Sequence, residues 1–76
     1  MSQRYVIETI SGVCAILDTR HSEYARRDKQ SGRTACTVAS WNGRWTGSDW
    51  ELEQWQVEKA DALCKMLNIL NNLGSA

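Results

Sequence analysis

Residues 4–19 read RYVIETISGVCAILDT, and this stretch decides the fold. Two runs rich in β-branched and aromatic residues, 4–10 and 13–19, flank Ser11-Gly12. A two-residue break containing glycine between such runs is the signature of a β-hairpin. With Ile10 opposite Val13, the pairs Glu8–Ala15, Ile7–Ile16 and Val6–Leu17 follow. Alternation then sends Val6, Glu8, Ile10, Val13, Ala15 and Leu17 to one face. Tyr5, Ile7, Thr9, Cys14, Ile16 and Asp18 go to the other. Both faces are largely apolar, although a sheet covered on one side should be polar on the other. The surplus is a first hint of a binding surface.

Downstream, the polar stretch RHSEYARRDKQSGR (20–33) either turns into a third strand through Tyr24-Ala25-Arg26 or holds a short helix capped by Ser22 and running to Gln30. The strand is favoured, because Leu17-Asp18-Thr19 runs straight into it. TACTVASW (34–41) reads as another strand, and Asn42-Gly43 as a type I′ hairpin returning through Arg44-Trp45-Thr46 with Trp41 facing Arg44. Ser48 with Glu51 three positions on is a capping box, and the helix it opens runs to Leu73, where Gly74 stops it. Gln54, Glu58, Asp61, Lys65, Asn68 and Asn72 form its polar stripe. Leu52, Trp55, Ala62, Leu63, Met66, Leu67, Ile69, Leu70 and Leu73 lie opposite as the expected core face. A helix over 49–73 spans about 37 Å against about 24 Å for a seven-residue strand. Either it begins nearer Trp55, where Trp50 and Leu52 also allow extended chain, or its end overhangs and wants a second copy or a partner. The expected architecture is α+β: a three- or four-stranded antiparallel meander within 4–46 and one long C-terminal helix, about 49–73, packed on one face.

The chain has 76 residues, which suits a single domain over 1–76 with a thin core. Nine basic and nine acidic side chains cancel, so no bulk attraction to nucleic acid or membrane is implied. An apolar fraction of 42% is too high for a disordered tail. The start carries no apolar core of a signal peptide, and no later stretch is long enough to span a membrane. Cys14, Cys36 and Cys64 are odd in number and widely spaced, which suits free thiols in a reducing cytoplasm. With His21 they offer four zinc-ligand types but no pair at zinc-site spacing, so neither metal nor other cofactor is expected. A nucleophilic cysteine needs a base beside it, and nothing places the single histidine there. Without a phosphate loop, nucleophile elbow or paired carboxylates, the chain is expected not to be an enzyme.

Trp41, Trp45, Trp50 and Trp55 fall within 15 residues, and there is no phenylalanine. Tryptophan is enriched at binding hot spots because it buries a large rigid surface and keeps a polar handle. Trp55, on the apolar stripe, is expected in the core; Trp41 and Trp45, at a hairpin tip, are candidates for partner contact. Residues 1–48 carry seven basic and four acidic side chains (+3), and residues 49–76 two and five (−3). The cations of 20–33, with Tyr24 or Trp41 stacking on bases, could follow a phosphate backbone. At zero net charge a solvated loop facing an acidic helix is the better reading, so nucleic acid is disfavoured. Lys59 interrupts the apolar stripe. It either snorkels to the rim or pairs with a carboxylate such as Glu8.

Three segments, Tyr5-Val6-Ile7-Glu8-Thr9, Ile16-Leu17-Asp18-Thr19 and Ala60 to Asn68 (ADALCKMLN), resemble small accessory proteins of phages and prophages, in which a β-hairpin or meander precedes one helix ending in Leu-Asn. Residues 28–50 depart from that pattern like an insertion, and are where a peculiar function would live. The resemblance implies an inhibitor that binds a larger bacterial protein or ribonucleoprotein complex in the host cytoplasm, anti-CRISPR proteins being the best-known class. Trp41, Arg44 and Trp45 are the candidate contact residues, with Arg26, Arg27 and Tyr24 around them. A self-associating homodimer is the second reading, favoured by the two-sided hairpin and the long helix.

Overall fold

β1 (Tyr5–Ile10) and β2 (Val13–Asp18) pair antiparallel in the register that the sequence alternation requires, Ile10 against Val13 and Val6 against Leu17. Gly12 in the connection has φ 75°, a value open to glycine at little cost. A computed structural model describes residues 3–10, 12–26 and 35–74. In it β3 (Thr37–Asn42) adds to the far side of β2, giving a three-stranded meander of order β1-β2-β3. The chain then forms a second, two-stranded sheet from β4 (Arg44–Trp45) and β5 (Trp50–Glu51) before the helix α1 (Gln54–Gly74). The fold is α+β.

The surplus of the first hairpin is used internally. Cys14, Ala15, Ile16 and Leu17 are buried in succession, as only a strand covered on both faces can be. Trp41 sits across from Cys14 and so shares its face, and the Lys59 ammonium of α1 stands 5.6 Å from the Trp41 ring centroid. The helix therefore covers the Cys14/Ile16 face. On the opposite face Ala15 and Leu17 cluster with Cys36, and Val6 and Tyr24 pack against them. Tyr24 reaches this position through neither strand nor capped helix. The bonds His21 N–H to Asp18 O (3.2 Å), Tyr24 N–H to His21 O (3.0 Å) and Arg26 N–H to Glu23 O (3.2 Å) close successive tight turns, folding the segment under the sheet. The part of that expectation beyond Arg26, including Arg27, lies outside the described residues.

Two further expectations are corrected. Asn42-Gly43 does not close a hairpin, and β4 pairs with β5 rather than with β3. Gly43 is instead needed for close approach. Its N–H donates to Gly12 O (2.8 Å), extending the β2–β3 ladder by one rung, and a Cβ on either glycine would collide with the backbone of Trp50 or Glu51. The helix begins at Gln54, in line with the later start and not with a Ser48 cap. Gln56 performs the capping: its Oε1 accepts the Glu53 N–H at 2.8 Å, three residues back, in the reciprocal half of a capping box.

At the open end of the hairpin Arg4 grips Asp18 with Nε and Nη2 (both 2.9 Å), while its Nη1 donates to Asn71 Oδ1 of α1 (3.0 Å). This bidentate bond, with the Arg20 N–H adding to it, holds the Asp18 carboxyl below the usual carboxylate range despite the opposing effect of burial. A carboxyl depressed in the folded state contributes stability above its unfolded value of about 3.9 and loses it as pH falls through the lower folded value. Asp18→Asn should therefore lower the thermal midpoint by about 5 °C near pH 7. The gap to the parent chain should narrow as pH falls below about 3.9 and close as it passes the lower folded value. A gap unchanged between pH 7 and pH 2.5 would show that the ion pair contributes nothing.

Candidate protein-interaction surface

α1 carries two stripes, and the one against the sheet is not the larger apolar one. Gln56, Ala60, Cys64 and Asn68, spaced four apart, are its buried residues. Each end is tied by a carboxamide. Gln56 Nε2 donates to Asn42 O on β3 (2.8 Å). At the opposite corner Asn68 Oδ1 accepts the Tyr5 N–H (2.9 Å) and its Nδ2 donates to Tyr5 O (3.0 Å), so one side chain bonds both backbone polar groups of an edge-strand residue. β1 is an edge strand, and without such a partner those groups would face the helix unpaired. Between the amides, Ala60 and the Cys64 thiol (Sγ to Tyr5 O 3.3 Å) are small enough to let the helix lie close.

This rotation turns the expected core stripe outward. Trp55, Met66, Ile69, Leu70 and Leu73 are between 57% and 70% exposed, and Ala62 is exposed beside them. Leu63 and Leu67 are half-buried at the border. At 100° per residue the axis of the outward stripe lies roughly 150° round the helix from that of the buried one. A contiguous apolar face of this kind is a candidate contact surface.

The second exposed apolar feature is the β4–β5 arm. Trp45 and Trp50, directly opposite in its two-rung ladder, bring their ring centroids to 5.3 Å with planes tilted by 57°, and both indoles are exposed. Thr46 turns the arm: its N–H and hydroxyl both donate to Asp49 O (2.8 and 3.0 Å), its hydroxyl accepts the Asp49 N–H (3.2 Å), and Gly47 takes φ 101° at the tip. Glu53 joins arm to helix. One oxygen lies 3.9 Å from Arg44 Nε, an exposed pair of small worth, and the other accepts the Trp55 Nε1–H at 2.7 Å. Trp45, Trp50, Arg44 and Trp55 thus crown the end of the molecule where α1 begins.

Of the candidate contact residues, Arg44 and Trp45 stand together on this arm, and Arg26 is exposed at the end of the turn segment. Trp41 and Tyr24 are half-buried. The Trp41 Nε1 is buried and without a partner, because the helix lies over the indole and Lys59 over its ring. Lys59 thus takes the indole face as its neighbour. Tyr24 supports the core beneath β2. Trp55, expected inside, is outside, because the carboxamides fix the helix rotation.

All three cysteines are buried free thiols, and burial pushes the Cys14 and Cys64 thiols up, away from the nucleophilic thiolate. The His21 Nδ1 accepts the Glu23 N–H (3.1 Å) and serves the turn. Among the described residues no cluster of three or more His, Cys, Asp or Glu is placed to hold a metal ion, and no helix is long and apolar enough to cross a membrane. The chain matches no family model, no curated protein and no solved structure.

Proposed function

We propose that this chain is a non-catalytic binding protein that engages a larger protein through the tryptophan arm. The observation that carries the reading is the Trp45–Trp50 pair. Two indoles are held against each other in the open, on a short ladder whose backbone is seated in the notch over Gly12 and Gly43. Rigid, preorganised aromatic surface with a neighbouring arginine is the composition of an interface hot spot. Arg44 supplies the polar rim, and Arg26 lies in a different part of the molecule.

The resemblance in 5–9, 16–19 and 60–68 supports a narrower version, in which the larger protein belongs to a bacterial defence assembly such as a CRISPR effector and binding blocks it. Both versions are tested by adding the purified chain to such effector complexes and measuring capture and target cleavage. The parent chain should be captured and should suppress cleavage. Trp45→Ala with Trp50→Ala should weaken capture by about 30-fold or more and leave the circular dichroism spectrum unchanged. Capture of the double variant at parental affinity would remove the arm from the interface. Cleavage untouched by the parent chain would remove the defence assembly as the target.

A further inference from the structure

We infer that the outer face of α1 is the seam of an antiparallel homodimer, an assembly that stands whether or not the arm has a foreign partner. Positions 55, 59, 62, 66, 69 and 73 recur at alternating intervals of four and three, the spacing at which two α-helices pack along a left-handed seam. Those positions hold Trp, Lys, Ala, Met, Ile and Leu, and all six are exposed. The helix presents this row on the side turned away from the sheet, so a second helix can lie along it without disturbing the three-stranded core.

Lys59 decides the direction. In a parallel pair every seam residue meets its own counterpart, which sets two Lys59 side chains and their like charges side by side along an apolar seam. In an antiparallel pair centred between Ala62 and Met66, Lys59 lies opposite Ile69 of the second copy. Its stem packs there while the ammonium stays over the Trp41 ring of its own chain. Ala62 then faces Met66 and Trp55 faces Leu73, so that small meets large at the centre and the largest side chains close the ends. The antiparallel arrangement also sets helix N-terminus against C-terminus, the favourable order for their dipoles. Lys65, beside the twofold, already pairs with Asp61 one turn earlier at 3.0 Å, which moderates its approach to the Lys65 of the second copy.

The seam is self-complementary, and the net charge of zero puts no long-range repulsion between copies. The large seam residues Trp55, Met66, Ile69 and Leu73, with Leu70 flanking them, are all more than half exposed and offer about 100 Å² each, or roughly 1,000 Å² over both copies, which reaches the lower bound for a specific interface. A seam at this lower bound belongs with weak, reversible association, so the dimer is placed in the micromolar range. It would carry its two tryptophan arms at opposite ends, about 30 Å of helix apart, and so present a bivalent binder.

Sedimentation equilibrium of the full chain from about 1 to 200 μM should show the mass rise from one chain to two, with the midpoint in the micromolar range. Met66→Glu with Ile69→Glu should raise the dimer dissociation constant by about 100-fold or more, with helical circular dichroism retained because both residues are exposed. Direction is read separately. Met66→Cys and Ala62→Cys chains, mixed with glutathione disulfide, should give the mixed disulfide and little of either self-linked species. Efficient self-linking of Ala62→Cys would overturn the antiparallel arrangement, and a single-chain mass throughout the concentration range would overturn the dimer. If the parent stays single and the glutamate variant loses capture by a partner instead, the face belongs to that partner. The arm is judged on its own tryptophan variants.

Discussion

Asn68→Leu should lower the thermal midpoint by about 10–20 °C, although on the sequence pattern it merely adds an apolar residue to an exposed polar stripe. The carboxamide makes two bonds of 2.9 and 3.0 Å to the N–H and C=O of Tyr5, and it is buried. Leucine offers neither donor nor acceptor, so the Tyr5 N–H would be left unpaired beneath the helix and the Tyr5 carbonyl would keep only the weaker bond from the Cys64 thiol. A buried group stripped of its partner costs about 1–3 kcal/mol, and the weakened bonding of the Tyr5 carbonyl adds to that, for a total of about 2–4 kcal/mol before any steric cost of the bulkier side chain. A domain of this size loses about 4–8 °C per kcal/mol. Asn68→Asp should fall between the two: its carboxylate can still accept from Tyr5 N–H but opposes the Tyr5 carbonyl. An Asn68→Leu chain melting within about 2 °C of the parent would mean that α1 does not lie on this face.

That prediction also shows where the sequence was legible and where it was not. The first hairpin could be read residue by residue because its period of two, its length and its glycine turn agree, and the observed register is the one they require. The helix could be located for the same kind of reason, since a 3.6-residue period survives over six turns. Its rotation could not. An apolar-face argument ranks Leu, Ile, Met and Trp above Ala, Cys, Asn and Gln, and so assigns Met66, Ile69 and Leu73 to the core. What decides here is the unpaired backbone of Tyr5 and Asn42, to which Asn68 and Gln56 bond. A signal was present: the row Gln56, Ala60, Cys64, Asn68 combines two small residues with two carboxamides at four-residue spacing, a set suited to close contact with strand backbone. The arm was hidden by a strong local rule. Asn-Gly signals a tight turn when it stands alone, yet the glycine at 43 is required by a strand eight residues further on, a tertiary contact that no local pattern carries. The tryptophan cluster is divided by the structure: Trp45, Trp50 and Trp55 are exposed, and Trp41 lies half-buried under the helix.

Gly12, Gly43 and Gly47 form a series in which the two reasons for glycine separate, and substitution by alanine should rank them. Gly47 has φ 101° and nothing within 4 Å of its missing Cβ. Alanine there meets only the backbone penalty, about 1 kcal/mol. Gly43 has no positive φ, but an added Cβ collides with the Glu51 carbonyl and the Leu52 amide. Those are backbone atoms and cannot swing aside as a side chain would, so the cost is one of overpacking, about 1–3 kcal/mol. Gly12 combines both, φ 75° and a collision with the Trp50 carbonyl, for about 2–4 kcal/mol and about 10–20 °C in the thermal midpoint. The strain has a preferred exit. Besides its chain connections, β4–β5 rests on the two glycine contacts and an exposed 3.9 Å ion pair, whereas the main sheet is held by ladders of six and five paired positions and by the helix. Alanine at 43 should therefore lift the arm before it opens the sheet. Amide exchange at residue 43 and at Thr46, whose N–H groups donate to Gly12 O and Asp49 O, should accelerate while the β1–β2 ladder stays protected. In the same variant capture of a partner should fall with the arm intact in sequence, because the indole pair is no longer oriented. Equal midpoints for Gly43→Ala and the parent chain, with unchanged exchange at both amides, would show that β5 does not rest on this notch, and the preorganisation on which the binding surface depends would have no structural basis.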